Sequence, residues 1–223
     1  MPIYPIGVKE RKGTLGSYYA ISDYCATNPE FGTLADFDAF VAKAHELGLK
    51  VIIDWVANHT SPDAIWITER PADWYVRDEQ GNTIVQYDWT DIAKLNYDNH
   101  DMRAEMEKSM RFWMERGIDG FRCDMACEMP FDFWKSVIPS IRKDYPQMYW
   151  LAEGEHTELH NGSFDASYAW ELHHMMNAMA KGGSETKNVA GDGTIKTDTK
   201  SAADLKEYLA RDKEKYQKPA MRL

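Results

Sequence analysis

The amino-acid sequence predicts an α/β protein built on parallel strands. Short apolar runs rich in β-branched and aromatic residues alternate with stretches whose apolar residues recur at helical spacing along the 223 residues. Strands and helices that alternate in this way are typical of parallel sheets, because each helix carries the chain back to the start of the next strand. A hydrophobic fraction of 43% and an aromatic fraction of 13% are enough for one sizeable core.

The first helix is predicted over about residues 34–47. Thr33 and Asp36 form the pattern of a capping box, in which Asp stands where Glu or Gln is more usual. Apolar residues recur at helical spacing through the segment, and Gly48 supplies a residue that can end the helix in the left-handed conformation.

The first strand is predicted over residues 49–57, because this run is apolar and β-branched in the manner of a strand buried on both faces. It ends in Asn58 and His59, so it places polar side chains at its carboxyl end. Residues 60–99 show no sustained periodicity and carry several turn signals, which predicts an irregular excursion with one hairpin. Loops of this length are usually functional.

The second half of the chain repeats the pattern of strand and helix. A helix with a stripe of methionines is predicted to start near Asn99 and to end at Gly117, with the methionines in the core. Strands are then predicted over residues 120–125 and 148–152, with a helix over about residues 133–143 between them.

The last part of the chain carries weaker signals. A short strand is expected around residues 167–170, followed by a loop rich in Gly, Lys and Thr over residues 181–200. Ser201 and Asp204 form a second capping pattern, which predicts a final helix.

The composition argues against several classes of function. With 36 acidic and 26 basic residues, the formal net charge of −10 leaves no excess of cations for nucleic-acid phosphates or for an anionic membrane surface. The apolar runs are too short to span a bilayer. The 3 cysteines form neither an even disulfide framework nor a paired zinc motif, so we expect neither. A neutral partner suits this composition best.

Polar and charged side chains lie near the carboxyl ends of successive predicted strands. They are Asp54, Asn58 and His59 on the first strand, Arg122 and Asp124 on the second, and Glu153 after the third. Because parallel strands end on a common rim, where (β/α)₈ barrels build their active sites, these groups should meet. Arg122 should favour the ionised form of Asp124, whereas the apolar residues before Glu153 should favour its protonated form.

Two carboxyl groups with separated pKa values are what glycoside hydrolysis with retention requires. One carboxylate attacks the sugar, and one carboxylic acid about 5–5.5 Å away protonates the leaving oxygen. An alternative interpretation is that Arg122 and Asp124 form a buried ion pair with a structural role only. The strand ends taken together favour the catalytic interpretation.

The sequence resembles the α-amylase family of retaining glycoside hydrolases. The motifs that carry the resemblance are DWVANH at 54–59, GFRCD at 120–124, Glu153 after the following strand, GSYYAISDY at 16–24 and AKLN at 93–96. This resemblance covers nearly the whole chain. It implies a partial (β/α)₈ TIM barrel with about strands 3 to 6 complete and a short inserted domain after strand 3.

The resemblance also implies how the chain is divided. Residues 1–59 would run from the end of barrel strand 2 to strand 3, residues 60–99 would form the inserted substrate-side domain, and residues 100–223 would run from helix 3 to the start of strand 7. Residues 1–6 are expected to end strand 2, and residues 221–223 to begin strand 7. We therefore expect a central portion of a barrel whose open edges could pair with a second copy.

Roles for individual residues follow from the resemblance. Asp124 is expected as the nucleophile, Glu153 as the acid/base, and Arg122 as the group that orients and ionises the nucleophile. Tyr19 and His59 are expected to bind the reacting sugar, Tyr19 by stacking on it. The residues expected to support these groups from behind are Asp23, Asp54 and Asn58.

The sequence departs from the family pattern at several positions. Family members supply a third acid from an Asn-His-Asp triplet after barrel strand 7. The same letters at residues 99–101 precede strand 4 instead, and we expect them to cap the next helix. Glu128 and His156 stand where many relatives have His and Asp, respectively. We expect these two differences to affect substrate preference more than any other property.

Calcium is a further point of departure. In many relatives Asn58 and an aspartate of the inserted domain bind a structural calcium, but Lys94 stands at the matching position here. A lysine replaces an oxygen ligand by a cation, so calcium is possible but is not predicted, and no other cofactor is expected. His156 and His160 have the spacing of a zinc-binding helix without its glutamate, so a catalytic metal is not predicted either.

The function implied is retaining hydrolysis of α-1,4-linked glucans such as starch or malto-oligosaccharides, with this chain an incomplete and inactive portion of the enzyme. Transfer of the sugar to another sugar hydroxyl follows the same chemical path and stays an alternative. A non-catalytic carbohydrate-binding role is a second alternative, because the chain has 8 Trp and 12 Tyr residues and aromatic faces pack on sugars. The expected partner is an α-glucan, with neither nucleic acid nor membrane.

Overall fold

A computed structural model describes residues 1–182, 184–188, 195–216 and 221–222. The α-helices are Leu34–Glu46 (α1), Ile65–Glu69 (α2), His100–Met114 (α3), Phe131–Arg142 (α4), Trp170–Ala180 (α5) and Ala202–Lys215 (α6). The strands are Ile52–Val56 (β1), His59–Thr60 (β2), Ala93–Lys94 (β3), Gly120–Asp124 (β4), Tyr149–Ala152 (β5), Ala166–Ser167 (β6), Ser184–Asn188 (β7), Ile195–Thr199 (β8) and Met221–Arg222 (β9).

One five-stranded parallel sheet forms the centre of the fold, in the order β1-β4-β5-β6-β9. In this sheet Asp54 of β1 pairs with Arg122 of β4, and Cys123 of β4 pairs with Ala152 of β5. Because every pairing in the sheet is parallel, the carboxyl ends of the strands lie at one end of it. The predicted α/β fold with a parallel sheet is confirmed.

The two faces of β4 have opposite character, because successive side chains of a strand point to opposite faces. Phe121 packs between Trp55 of β1 and Trp150 of β5, with ring centroids 5.3 Å apart in both contacts. All three rings are fully buried. Arg122 and Asp124 lie on the other face, so the apolar core and the charged groups are separated by the sheet itself.

The helix signals identified in the sequence are confirmed. In α1 the side chain of Thr33 accepts from the N–H of Asp36, and the N–H of Thr33 donates to the Asp36 carboxylate, which completes the capping box. In α3 the side chain of Asn99 accepts from the N–H of Met102 at 2.9 Å, as a helix cap does. The methionine stripe of α3 is buried at Met102, Met106, Met110 and Met114.

The excursion over residues 60–99 holds α2, a 3₁₀ turn at Ala72–Trp74, and the antiparallel pair of β2 and β3. An isolated antiparallel bridge between Arg77 and Thr83 forms the predicted hairpin. Whether residues 60–99 are a domain of their own, as the resemblance implies, stays a prediction. Within the part of the chain that the structure describes, every helix is too short or too polar to cross a membrane.

The start of the chain differs from the prediction. Residues 1–6 form no strand, and their β-type pairing is a single antiparallel bridge between Ile6 and Ile21. Pro2 and Pro5 lack the N–H groups that a strand would need for a ladder of hydrogen bonds. The segment is fixed instead by Tyr4, whose buried hydroxyl donates to the backbone carbonyl of Asp54 at 2.9 Å.

The end of the chain also differs in part. The strand expected at residues 167–170 lies at Ala166–Ser167, and Trp170 already begins α5. The loop expected at residues 181–200 contains the antiparallel pair of β7 and β8, whose polar sequences lack the apolar alternation that identifies strands. β9 pairs in parallel with β6, as expected for the next barrel strand, and Leu223 lies outside the described residues.

Candidate active site

Arg122 lies at the centre of the candidate site. Its Nη1 donates to Asp54 Oδ1 and to Asp124 Oδ1, each at 2.8 Å. Its Nη2 lies 2.9 Å from Glu153 Oε1, and its Nε donates to the hydroxyl of Tyr168 at 3.1 Å. One guanidinium therefore contacts three carboxylates, which come from β1, the end of β4 and the residue after β5.

The register of the sheet and one turn place Glu153. Its N–H donates to the carbonyl of Cys123 at 3.0 Å, which continues the ladder between β5 and β4 for one residue beyond the strand. Met125 follows the nucleophile candidate Asp124 with a φ of 47°, in the left-handed region that non-glycine residues seldom adopt. The N–H of Met125 donates to Glu153 Oε2 at 3.0 Å, so both Glu153 oxygens have partners.

Burial raises the pKa of Asp124 to about 7. The carboxylates of Glu153 and Asp54 act in the same direction, and Arg122 acts against them. Arg122 therefore favours the ionised form of Asp124 as expected, but the net pKa of Asp124 is raised at this site without substrate. The physical reason is that burial of the Asp124 carboxyl, helped by the charges of Glu153 and Asp54, outweighs the effect of Arg122.

Tyr19 and His59 lie beside these carboxylates. The hydroxyl of Tyr19 donates to Asp54 Oδ2 at 3.1 Å, and burial together with the Asp54 charge raises the pKa of Tyr19 to about 12. His59 is buried, with its Nδ1 3.1 Å from Asn58 Nδ2. Burial lowers the pKa of His59 to about 4, so the ring is neutral at neutral pH and can both donate and accept hydrogen bonds.

These groups surround one cavity of about 340 Å³ at the carboxyl ends of the strands. The residues predicted for the site that line it are Tyr19, His59, Arg122, Asp124 and Glu153. Asp54 and Asn58 are buried behind this lining, in contact with Arg122 and His59 respectively. Asp23 is not part of the described lining, and its Oδ1 accepts from the N–H of Cys25 at 2.8 Å.

Several lining residues were not predicted from the sequence. They are Lys12, Ser17, Trp89, Asp91, Ile92 and Met125. Trp89 lies edge-to-face with His59, with ring centroids 5.8 Å apart. Lys12 Nζ lies 3.3 Å from Oδ1 of the buried Asp91. The sequence signal for these positions was an aromatic residue close to acidic residues within a long irregular loop. This pattern is too common to identify a binding site.

A lysine and a histidine lie in the surroundings of Asn58. Lys94 pairs with His59 between β3 and β2, and the Asn58 amide faces the His59 ring. His160 Nε2 lies 2.8 Å from Ser167 Oγ, and His156 packs on Phe131 with ring centroids 5.1 Å apart. Among the described residues, no group of three or more His, Cys, Asp and Glu side chains could hold a metal ion.

Comparison with protein families and curated proteins gives a consistent result. A model described as the alpha-amylase catalytic domain matches residues 2–83 and 69–217. An alpha-1,4-glucan:maltose-1-phosphate maltosyltransferase of Arcanobacterium haemolyticum is 33% identical over 173 residues, which are 68% of this chain and 25% of that protein. Alpha-amylase 3 of Dictyoglomus thermophilum is 32% identical over 163 residues, which are 60% of this chain and 32% of that protein.

Solved structures resemble the chain over almost its whole length. An alpha-amylase from Lactobacillus plantarum matches with a TM-score of 0.85 and 34% identity, covering 99% of this chain and 52% of that one. A maltogenic alpha-amylase from Thermotoga neapolitana matches with a TM-score of 0.84 and 31% identity, covering 99% and 48%. The predicted partial barrel fold is thereby confirmed. The chain spans about half the length of these solved enzymes and about a quarter of the maltosyltransferase.

Proposed function

Since this chain belongs to the alpha-amylase family, we propose that its parent protein hydrolyses α-1,4-linked glucans, such as starch or malto-oligosaccharides, with retention at the anomeric carbon. The observation that carries the proposal is the bridge that Arg122 makes between Asp124 and Glu153. Both carboxyl groups face one cavity, beside Tyr19 and His59. Two carboxyl groups across a substrate cleft are the requirement of this chemistry.

In the first step, a carboxylate oxygen of Asp124 attacks the anomeric carbon while Glu153 gives its proton to the glycosidic oxygen. The carbon–oxygen bond to the leaving sugar breaks, and a glucosyl ester forms on Asp124. In the second step, Glu153 takes a proton from a water molecule as that water attacks the same carbon. The ester breaks, Asp124 is released as a carboxylate and Glu153 is protonated again.

The surroundings of the two carboxyl groups support these roles. Arg122 stays charged, because burial lowers its pKa less than Tyr168 and the neighbouring carboxylates raise it. It can therefore hold Asp124 in place and stabilise its charge when the leaving group departs. The neutral ring of His59 and the hydroxyl of Tyr19 offer hydrogen bonds to sugar hydroxyls without adding a charge to the cavity.

Transfer of the glucosyl group to another sugar is the second candidate function. It shares the first step and replaces water by a sugar hydroxyl in the second. The observation in its favour is the 33% identity to a maltosyltransferase over 68% of the chain. A carbohydrate-binding portion without turnover of its own is the third candidate, for this chain taken by itself.

We test the proposal with maltohexaose in H₂¹⁸O, using the 223-residue chain and its full-length parent. For the parent we expect ¹⁸O at the new reducing ends, the α-anomer as first product in proton NMR, and a loss of about 10³-fold or more in kcat for Asp124→Asn and for Glu153→Gln. The Asp101→Asn variant is the matched control, because Asp101 lies exposed in the first turn of α3.

Other results of the maltohexaose experiment would support one of the other candidate functions or refute the proposed roles. Products longer than maltohexaose, without ¹⁸O, would favour transfer over hydrolysis. Binding of maltohexaose by the 223-residue chain without turnover, beside an active parent, would identify the chain as a binding portion. Unchanged turnover of the parent after both active-site substitutions would refute the roles of Asp124 and Glu153.

A further inference from the structure

Residues 86–91, which we call the wall segment, form one side of the active-site cavity through Trp89 and Asp91. The Trp89 ring lies 5.8 Å from the ring of the buried His59 and 5.1 Å from the ring of Tyr87, edge-to-face in both contacts. Tyr87 is 62% exposed. Three rings therefore run in a row from the buried wall of the cavity outward to solvent.

The wall segment is fixed at one end by Glu128, which lies in the loop after β4. Glu128 Oε1 accepts from the hydroxyl of Tyr87 at 2.7 Å, and its Oε2 accepts from Gln86 Nε2 at 2.9 Å. Both carboxylate oxygens are thus used on the wall segment. Because Glu128 follows the nucleophile candidate Asp124 by only a few residues, this contact ties the wall segment to the catalytic strand.

The wall segment is fixed at its other end by an ion pair. Asp91 is 4% exposed, and its Oδ1 lies 3.3 Å from Nζ of Lys12, which belongs to the loop before α1. Trp89 stands between these two attachments, and its N–H donates to the carbonyl of Gln86 at 3.0 Å. Two separate loops therefore determine where the Trp89 ring lies.

The conformation of Tyr87 is not one that core packing explains. Its φ of 52° is in the left-handed region, which is unfavourable for a residue with a Cβ atom, and its ring is mostly in solvent. The charge-assisted bond to Glu128 compensates for this conformation. An exposed aromatic ring that is held in place by a charged side chain beside a catalytic cavity is suited to contact a ligand.

We propose that Tyr87 and Trp89 form a platform that binds glucosyl units beyond the reacting one, and that Glu128 is the positioning residue for this platform. The inference rests on the proposed function, because its ligand is the same α-glucan. Flat aromatic faces match the apolar C–H faces of glucosyl rings. Oligosaccharides long enough to extend from Asp124 past Trp89 use the platform, and maltose does not.

The test measures binding of maltose, maltotriose and maltohexaose to the 223-residue chain by calorimetry. We expect Trp89→Ala to weaken maltohexaose binding about tenfold, as loss of a central aromatic contact does. Glu128→Ala and Tyr87→Phe each weaken it about threefold to tenfold and leave maltose binding unchanged. The Glu128→Ala/Tyr87→Phe double variant binds no more weakly than Glu128→Ala alone, because Glu128→Ala already removes the bond that Tyr87→Phe removes.

Two further variants separate positioning from general damage. Glu128→Gln keeps an oxygen that can accept from Tyr87, so it restores most of the binding that Glu128→Ala loses. Tyr18→Phe removes another exposed tyrosine hydroxyl, 3.3 Å from Glu30, and leaves binding of all three sugars unchanged. A loss that is equal for maltose and maltohexaose in Glu128→Ala would overturn the proposal, since only a platform contact depends on chain length.

The platform and the proposed reaction fail in different ways. If Asp124→Asn of the parent keeps full turnover, the reaction is wrong while the length-dependent binding result stands. In an active parent, Glu128→Ala raises KM for maltohexaose and leaves kcat for maltotriose within about twofold. If neither the chain nor the parent binds maltohexaose more tightly than maltose, the platform is refuted.

Discussion

Two cavities of this molecule differ in the residues that line them and in their position relative to the sheet. The active-site cavity, of about 340 Å³, lies at the carboxyl ends of the strands, where charged side chains converge. The larger hollow, of about 690 Å³, lies between α1 and the edge of β1, and we call it the α1 groove. Its lining is mainly apolar and includes Phe31, Phe37, Phe40, Leu47, Leu49 and Ile52.

The comparison teaches that convergence of charge, and not volume, distinguishes the candidate active site from the α1 groove. Strand ends leave polar side chains open to a cavity, whereas the side of a sheet presents its apolar residues. The α1 groove exists because, among the described strands, β1 pairs with β4 on one side and with none on the other. Self-association through such an open edge was expected from the sequence and stays a prediction.

The largest expected effect is in the cavity. Arg122→Met leaves three carboxylates without their cation, and we expect it to lower the free energy of unfolding by about 3–5 kcal/mol in urea titrations. Arg211→Met is the matched control, because Arg211 forms an ion pair with Glu171 in which both side chains are more than half exposed. The control should change by less than about 1 kcal/mol. Equal losses in both variants would show that Arg122 is not a shared counterion.

The second expected effect is a pH dependence of the free energy of unfolding, caused by Asp124. Burial raises the pKa of Asp124 from 3.8 to about 7, so the folded protein binds this proton more tightly than the unfolded chain does. The contribution of Asp124 to the free energy of unfolding of the wild type is therefore fully present at low pH, and it is lost as the pH rises from about 4 to 7. Asn cannot ionise, so the Asp124→Asn variant keeps its stability as pH rises. It should be about 4 kcal/mol more stable than wild type at pH 8, and about equally stable near pH 4.

Urea titrations at both pH values check this expectation, provided that the variant keeps the native circular dichroism spectrum. A stability gain that does not change with pH would mean that packing at position 124 is the cause. A loss at pH 8 would mean that Arg122 outweighs burial, in contrast to the raised pKa of Asp124.

The smallest expected effect is in the α1 groove. Phe40 and Leu47 are 58% and 63% exposed, so Phe40→Lys and Leu47→Lys should change the free energy of unfolding by less than about 0.5 kcal/mol. If the chain pairs through this edge, sedimentation should show a smaller mean mass for the two lysine variants. An unchanged mass would refute pairing through the groove.

The sequence was sufficient to predict which strand ends meet in the cavity. Asp54, Arg122, Asp124 and Glu153 come together because parallel strands share one end, and this rule needs no knowledge of side-chain contacts. The direction of the Asp124 pKa could not be predicted in the same way. It depends first on how deeply the Asp124 carboxyl is buried and then on which carboxylates lie near it, and both are properties of the packed structure and not of neighbours in the sequence.

The residues that form the wall of the cavity also could not be predicted from patterns in the sequence. Trp89 lies beside His59, and Lys12 beside Asp91, only because an irregular excursion folds back over the strand ends. Periodicity identifies regular elements, and this excursion has little. Asp23, which was expected to support the site from behind, accepts a local backbone bond from Cys25 and is not in the described lining of the cavity, so its role stays a prediction.

The shared guanidinium also has a consequence for ligand binding. Three carboxylates around one arginine leave an excess of negative charge at the bottom of the cavity. A sugar mimic with a protonated ring nitrogen would balance that excess and weaken the repulsion among the carboxylates. Iminosugars should therefore be preferred over neutral analogues of the same shape, by a margin that narrows in acid as Asp124 takes up its proton.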